Sequence, residues 1–487
     1  MSNDIKSLEK ITQNSTDKDN NSDYVINDSI SDLKVKFIFG DEELYLNTEK
    51  DGVVYELNSL NSDQVVKVYL ETNGNLEIEL NDNEITTNKW NEVKIDKLSM
   101  DNKIKINLKN KENNDTRTYF INTLPSDFPE YNFVGKSQTE GDYYLTIQGA
   151  PFYLLKLNND GEVIYYKRSK NNMFSDFKKH NIDGKVRYSY QEATNKYPDV
   201  SLAYTMGDIV ILNEQYNEID RVNFIGNDGV KEGYSVENHD FLMIDDGHYI
   251  ISTYLPMIVN NIPDSVSSLS SSTKVLAGVL QEIKDGEVVL QWNSTDYPQL
   301  YELSIEGNKF DSMSSNWNDY VHFNAVIVDP KDNNLICSFR HLDALLKIDR
   351  NSGEIIWILG GEGDEFNLTE EQKFSHQHHP TLLDNNRILL YDNGNAKGLT
   401  RILEITLDEE NKKVTDFKEF SIDGRFSEFM GSVQKLDDKN DVYLIGWGGA
   451  QSDTALFTEY DLKNNKVLCE FHVIDDSKMT YRVYKSE

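Results

Sequence analysis

Three of the chain's nine histidines, His376, His378 and His379, fall within four positions of "FSHQHHPTLLDNNRILLYDNGN". Imidazole titrates near neutral pH, so a neutral ring can act as nucleophile, acid, base or metal ligand. Three other stretches share the layout: "NHDFLMIDDGHYIIS" with His239, "HFNAVIVDPKDNNLICS" with His322 and Asn324, and "MGSVQKLDDKNDVYLI" with Ser432. Arg340 ends "NLICSFRH", on the strand expected to pair with that of His322. His239, His322 and His378 could in principle supply three imidazoles to a metal. An always-charged guanidinium beside them opposes a cation and favours an anion, so no metal is assigned, with a metal-dependent hydrolase and a non-catalytic binding propeller as the alternative readings. Imidazoles around an arginine suit transfer of a sulfuryl or phosphoryl group, whose transition state spreads charge over peripheral oxygens. One histidine can be the nucleophile while a second protonates the leaving oxygen. No Walker-type glycine-rich loop is present, so neither a nucleotide donor nor another cofactor is indicated.

A repeat positions these residues. Strand–turn–strand units recur as "FYLLKLNNDGEVIYYKR", "DIVILNEQYNEIDRVNF", "VLAGVLQEIKDGEVVLQW", "ALLKIDRNSGEIIWIL", "RILEITLDEENKKVTDF" and "ALFTEYDLKNNKVLCEF". Their turns fall near 160, 217, 285, 352, 411 and 464, steps that suit one four-stranded propeller blade each. A further apolar strand precedes each hairpin, so the reading is a six-bladed β-propeller over 132–487. His239, His322, His378 and Ser432 start the first strand of successive blades, and that strand lines the central channel. Residues far apart in sequence should therefore meet around one pocket. Strand alternation forbids His376, His378 and His379 from all facing one way, so at least one is a bystander. His180, His248, His341 and His472 are read as packing or surface histidines, and Trp357 as core.

Upstream, residues 1–32 are rich in Asn, Asp, Ser and Lys and read as a disordered arm. Residues 33–122 alternate with period two between Asn/Asp/Gly turns, the pattern of a small β-sandwich, and 123–131 reads as a linker. With 83 acidic and 49 basic residues, the net charge of −34 repels phosphate backbones and argues against nucleic-acid partners. Two cysteines, Cys337 and Cys469, lie in apolar runs and read as buried free thiols. No apolar stretch is long enough for a membrane span. The start, "MSNDIKSLEK", has no signal-peptide hydrophobic region. A homo-oligomer is left open.

Four stretches together resemble the bacterial arylsulfotransferases: "ENHDFLMIDDGHYIIST", "HFNAVIVDPKDNNLICSFRHLDALLKIDRNSGEIIWILGG", "QHHPTLLDNNRILLYDNGN" and "GSVQKLD". The second is the most specific, with H-x-N, S-x-R-H and I-D-x-x-x-G-E-I-x-W-x-x-G-G in one run. The likeness covers the propeller, and the upstream sandwich matches the family layout. It implies sulfuryl transfer from a phenolic sulfate ester to a phenol, by ping-pong kinetics through a sulfated histidine. The family nucleophile follows the glutamine of Q-H-D and maps to His378; this chain has His379 where the motif has an acid. By the same mapping Arg340, Asn324 and His322 hold sulfuryl oxygens, and His239 protonates the leaving phenolate, a role that could exchange with His322. Ser432 is a pocket-wall candidate for substrate. Specificity is expected from channel loops such as "VNNIPDSVSSLSSSTKV". Family habit and the tether-like arm favour export after loss of a leader, with a cytoplasmic location as the alternative.

Overall fold

Strands packed on both faces need no polar side, and the inner strands of this chain show that burial. Leu335–Phe339, Ala344–Ile348, Val442–Gly446 and Phe457–Asp461 are buried at every position. Strands at a rim face water instead, and Lys413–Phe420 has no buried residue. The computed structural model describes residues 29–63, 65–194, 205–267, 273–310, 317–384, 386–449 and 454–487.

Six antiparallel sheets form the six blades of a β-propeller. Blades 2 to 5 are built on four-strand meanders, innermost strand first; blade 2 also takes the short strand Val236–Glu237, and blade 6 adds an outer strand from earlier in the chain. The innermost strands of blades 2 to 6 are Phe174–Ile182, Phe241–Asp245, Phe323–Val328, His378–Asp384 and Ser432–Asp437. Blade 1 is assembled from both ends of the propeller: its innermost strand is Val483–Ser486, paired with Asp142–Ile147. Each innermost strand touches the next, and Val483–Ser486 touches those of blades 2 and 6, so the ring is closed. Tyr131–Gly135 adds a fifth, outer strand to blade 6 by pairing with Lys466–Val473, a second stitch across the closure.

Blades cohere through apolar layers. Ile336, Leu345, Trp357 and Leu359 of blade 4 pack on Ile388, Leu390, Leu403 and Ile405 of blade 5. Each such buried leucine or isoleucine contributes roughly 1.5–3 kcal/mol of transfer free energy. Trp357 is 1% exposed and belongs to this core. At the closure Lys485, also buried, places Nζ 2.8 Å from Glu459 Oε1 and 2.7 Å from Ser137 Oγ.

Ahead of the propeller stands a β-sandwich. One sheet orders Glu42–Tyr45, Val35–Phe39, Val65–Thr72 and Trp90–Lys94; the other is built around Thr116–Asn122, Lys103–Asn110 and Leu76–Leu80. Phe37, Leu70, Ile78, Ile104 and Ile106 fill the space between them. A short strand, Ser59–Asn61, leaves the sandwich and pairs with the outer strand of blade 1. Of the expected arm, 1–28 lie outside the described residues, and Ile30 is fully buried in the sandwich core, so ordered packing starts before residue 33. No helix among the described residues is long and apolar enough to cross a membrane.

Candidate active site

The starts of the innermost strands converge as repeat geometry requires. His239 and His322 lie 4.9 Å apart between ring centroids, and His239 and His378 6.4 Å apart. All three are buried. Their partners come from successive blades, so sequence neighbours do different jobs. His322, His376 and His379 have positive φ, at 47°, 57° and 47°. That left-handed conformation is uncommon for a non-glycine residue and breaks simple strand alternation. His378 thus joins the cluster, whereas His379 passes between blades. Its Nδ1 lies 2.9 Å from the Val433 carbonyl and its ring 5.4 Å from Tyr484.

Each of the three clustered rings has its Nδ1 engaged by a neighbour. His239 Nδ1 contacts the Glu237 carboxylate, which also accepts from the His239 backbone N–H at 2.7 Å and from Ser252 Oγ. His322 Nδ1 is 2.6 Å from Asp319 Oδ2. His378 Nδ1 is 2.7 Å from Asn393 Oδ1 and 3.0 Å from the His376 carbonyl oxygen. A carbonyl can only accept, so Nδ1 of His378 carries the proton and Nε2 carries the lone pair. The Asn393 amide is itself fixed, since Nδ2 donates at 2.9 Å to the carbonyls of Ser427 and of Met430. The Asp-Asn-Gly turn holds Asn393 in place. Asp392 accepts from the backbone of Ser375 and Gly394 and is bridged to buried Arg401 at 2.6 Å. Gly394 has φ +68°, and a Cβ there would fall 1.9 Å from the Leu399 carbonyl.

Arg340 follows the second strand of blade 4, and its backbone N–H donates to the His322 carbonyl at 2.8 Å. Asn324 is fully buried; its Nδ2 donates to the Gln377 carbonyl at 2.8 Å, tying the strand of His322 to that of His378. Its Oδ1 is buried without a hydrogen-bond partner. Ser432 is not brought to the histidines as a free hydroxyl. Its Oγ accepts from Val483 N at 3.0 Å and lies 3.2 Å from Val483 O, joining blades 6 and 1.

Several residues around the pocket lie outside the sequence-derived set. Tyr481 and Arg482 arrive on the closing strand: Tyr481 OH donates to the His239 carbonyl at 2.9 Å and Arg482 Nη2 to the Asn324 carbonyl at 2.8 Å. Their signal is that "TYRVYKSE" aligns with the strand starts of the other blades. His341, read as an ordinary packing histidine, lies with its ring tilted 35° against that of His322, 4.5 Å between centroids. His376, given no role from the sequence, lies 2.7 Å by Nε2 from Glu306. His180 is a packing histidine, 2.7 Å from Ser189 Oγ.

A family model for arylsulfotransferases (ASST) matches residues 108–485, well over half of the chain. The chain belongs to the arylsulfotransferase family. No curated protein matches by sequence. Solved structures of similar shape include a dihydro-heme d1 dehydrogenase NirN in complex with DHE (13% identity, TM-score 0.30, 72% of this chain and 62% of that chain). A nidogen/laminin complex matches at 10% identity and TM-score 0.37, over 70% of this chain and 97% of that one. An auxiliary nutrient binding protein from Bacteroides ovatus ATCC 8483 matches at 9% identity and TM-score 0.30, over 88% and 99%. The chain thus spans under two thirds of the NirN chain's length.

Burial keeps three of the pocket's imidazoles, His378, His322 and His341, neutral. Burial, Arg340 and His239 hold His378 well below the usual histidine range, and burial, His239 and Arg340 do the same for His322. Burial lowers His341 to about 4. A neutral, desolvated imidazole with its lone pair on Nε2 is a competent nucleophile. Asp319, His322 and His341 do bring three potential ligand atoms within 4.8 Å of one another. Yet His322 Nδ1 is hydrogen-bonded to Asp319, and the Arg340 charge acts on all three groups. A cation fits that arrangement poorly. Another such trio, Asp329, Asp332 and Glu409, surrounds the Lys347 ammonium at 2.6–2.8 Å.

Proposed function

We propose that this arylsulfotransferase moves a sulfuryl group from a phenolic sulfate ester to a phenol in two displacements through sulfated His378. The His378–Asn393 hydrogen bond carries the reading, because it leaves Nε2 as the nucleophilic atom beside two further imidazoles and a guanidinium. In the first displacement Nε2 forms a bond to sulfur as the aryl–oxygen bond to sulfur breaks. The departing phenolate takes a proton from His239, whose imidazolium is backed by Glu237. Arg340 compensates charge on the sulfuryl oxygens, with His322 next to it. In the second displacement His239 removes the acceptor phenol's proton, the phenol oxygen bonds to sulfur, and the bond from Nε2 to sulfur breaks. Phenols titrate near 10, so both proton transfers are useful at neutral pH.

His378 keeps its Nδ1 proton throughout, so the N-sulfated ring is an imidazolium bearing a sulfonate and is neutral overall. The test is release of 4-nitrophenol from 4-nitrophenyl sulfate with phenol as acceptor, by the wild type and by His378→Asn. Loss of release in the variant supports the reading; equal release by both refutes it.

A further inference from the structure

Arg340 does not stand alone in the pocket. Glu306 follows the short helix Gln299–Glu302, in the connection from blade 3 to blade 4. Its Oε2 accepts from Arg340 Nη1 at 3.2 Å and lies 2.7 Å from His376 Nε2, and its Oε1 is 3.6 Å from His341 Nε2. Among the described residues no other side chain hydrogen-bonds the Arg340 guanidinium, so its remaining N–H groups are available to a ligand. The His376 hydrogen bond, together with His341 and Arg340, lowers the Glu306 carboxyl to about 2, so it is ionised at any working pH.

The rest of the pocket adds no net positive charge. His378, His322 and His341 are held neutral, and the Glu237 carboxylate sits behind His239. Deeper in the channel Lys178 and Arg482 face Asp176 and Asp240, two cations against two carboxylates. Arg340 is therefore a single guanidinium already half spent on a carboxylate. That arrangement tolerates one incoming negative charge and repels two.

Sulfate monoesters carry one charge, whereas phosphate monoesters, with a second pKa near 6, carry two at pH 8. We infer that Glu306 is a specificity-determining residue that makes this pocket select monoanionic tetrahedral esters and reject dianionic phosphate monoesters. The inference rests on the sulfuryl-transfer reading for its choice of ligand class. It also gives His341 and His376 a task, as the imidazoles that hold Glu306 beside Arg340.

The test compares two phenyl ligands by calorimetry at pH 8: phenyl methylphosphonate, a monoanion, and phenyl phosphate, a dianion. The wild type should bind the monoanion at least about tenfold more tightly, and Glu306→Gln, which keeps shape but loses charge, should close most of that gap. Arg340→Met should weaken both. Equal affinities in the wild type, an unchanged ratio in Glu306→Gln, or no binding of the monoanion overturns the inference. Turnover of 4-nitrophenyl sulfate is measured separately. Selectivity without turnover would sink the transfer reading and keep the charge filter; turnover without selectivity would do the reverse.

Discussion

His378 Nδ1 lies 2.7 Å from Asn393 Oδ1, and the Asn393 amide nitrogen is held by two backbone carbonyls from the approach to blade 6. The side chain of one blade thus reads its proton position from backbone of the next. Removing Asn393 as an acceptor should act on catalysis before it acts on fold.

Asn393→Leu should lower kcat by about 10- to 100-fold, the usual cost of losing the partner that orients a reactive imidazole. KM should change less. Steady-state kinetics check this, and nitrogen NMR of labelled histidine should report some Nε2–H tautomer at His378 in the variant, where only the His376 carbonyl still accepts from Nδ1, and Nδ1–H in the wild type. A fall in thermal stability with unchanged kcat and tautomer would assign Asn393 to structure alone.

Acid should destabilise the propeller through its buried neutral histidines. Burial lowers His379 and His180 to about 3 and His341 to about 4, and holds His378 and His322 low as well. In the unfolded chain each would titrate near 6.5. Between the two values the unfolded state binds more protons, so stability is full above about 6.5 and falls as pH drops toward 4. Urea denaturation midpoints across that range check the slope. A flat profile between pH 6.5 and 4 contradicts the burial of these rings as neutral groups.

Lys485 should be costly to remove. It is buried at the ring closure and bonded to Glu459, which is also fully buried. Lys485→Met leaves that carboxylate uncompensated and should cost about 3–5 kcal/mol by denaturant titration. The double variant Lys485→Met, Glu459→Gln should regain part of the loss. Additive losses would mean the pair does not couple.

Dialysis against a chelator should leave aryl-sulfate turnover unchanged. Activity that is lost on dialysis and restored by zinc would instead assign Asp319, His322 and His341 to a cation.

Much of this architecture was legible because a propeller repeats its strands. The apolar hairpins mark the blades, and equal positions in the repeat bring His239, His322 and His378 together. Legibility failed where the repeat is broken. Blade 1 draws its innermost strand from the far end of the chain, so the hairpin that belongs to "TYRVYKSE" lies at the start of the propeller, and Tyr481 and Arg482 fall outside the repeat of strand and following hairpin. Glu306 lies in a connection between blades, outside the repeated strands. Asn393 sits in an Asn-Gly pair, which reads first as turn chemistry. Register alone points to Ser432, and register does not reveal that its hydroxyl is spent on Val483. The Ser-rich stretch after Val259 bears on specificity only as an expectation, since 268–272 lie outside the described residues.

The central claim is that His378 Nε2 carries the sulfuryl group between donor and acceptor. Wild-type protein is treated with excess 4-nitrophenyl sulfate without acceptor, kept cold and alkaline, and digested for peptide mass measurement. The account predicts one added sulfuryl group on the peptide containing His378, lost when phenol is added and never formed by His378→Asn. A sulfuryl group on another residue, or phenol-dependent turnover that persists in His378→Asn, would contradict it.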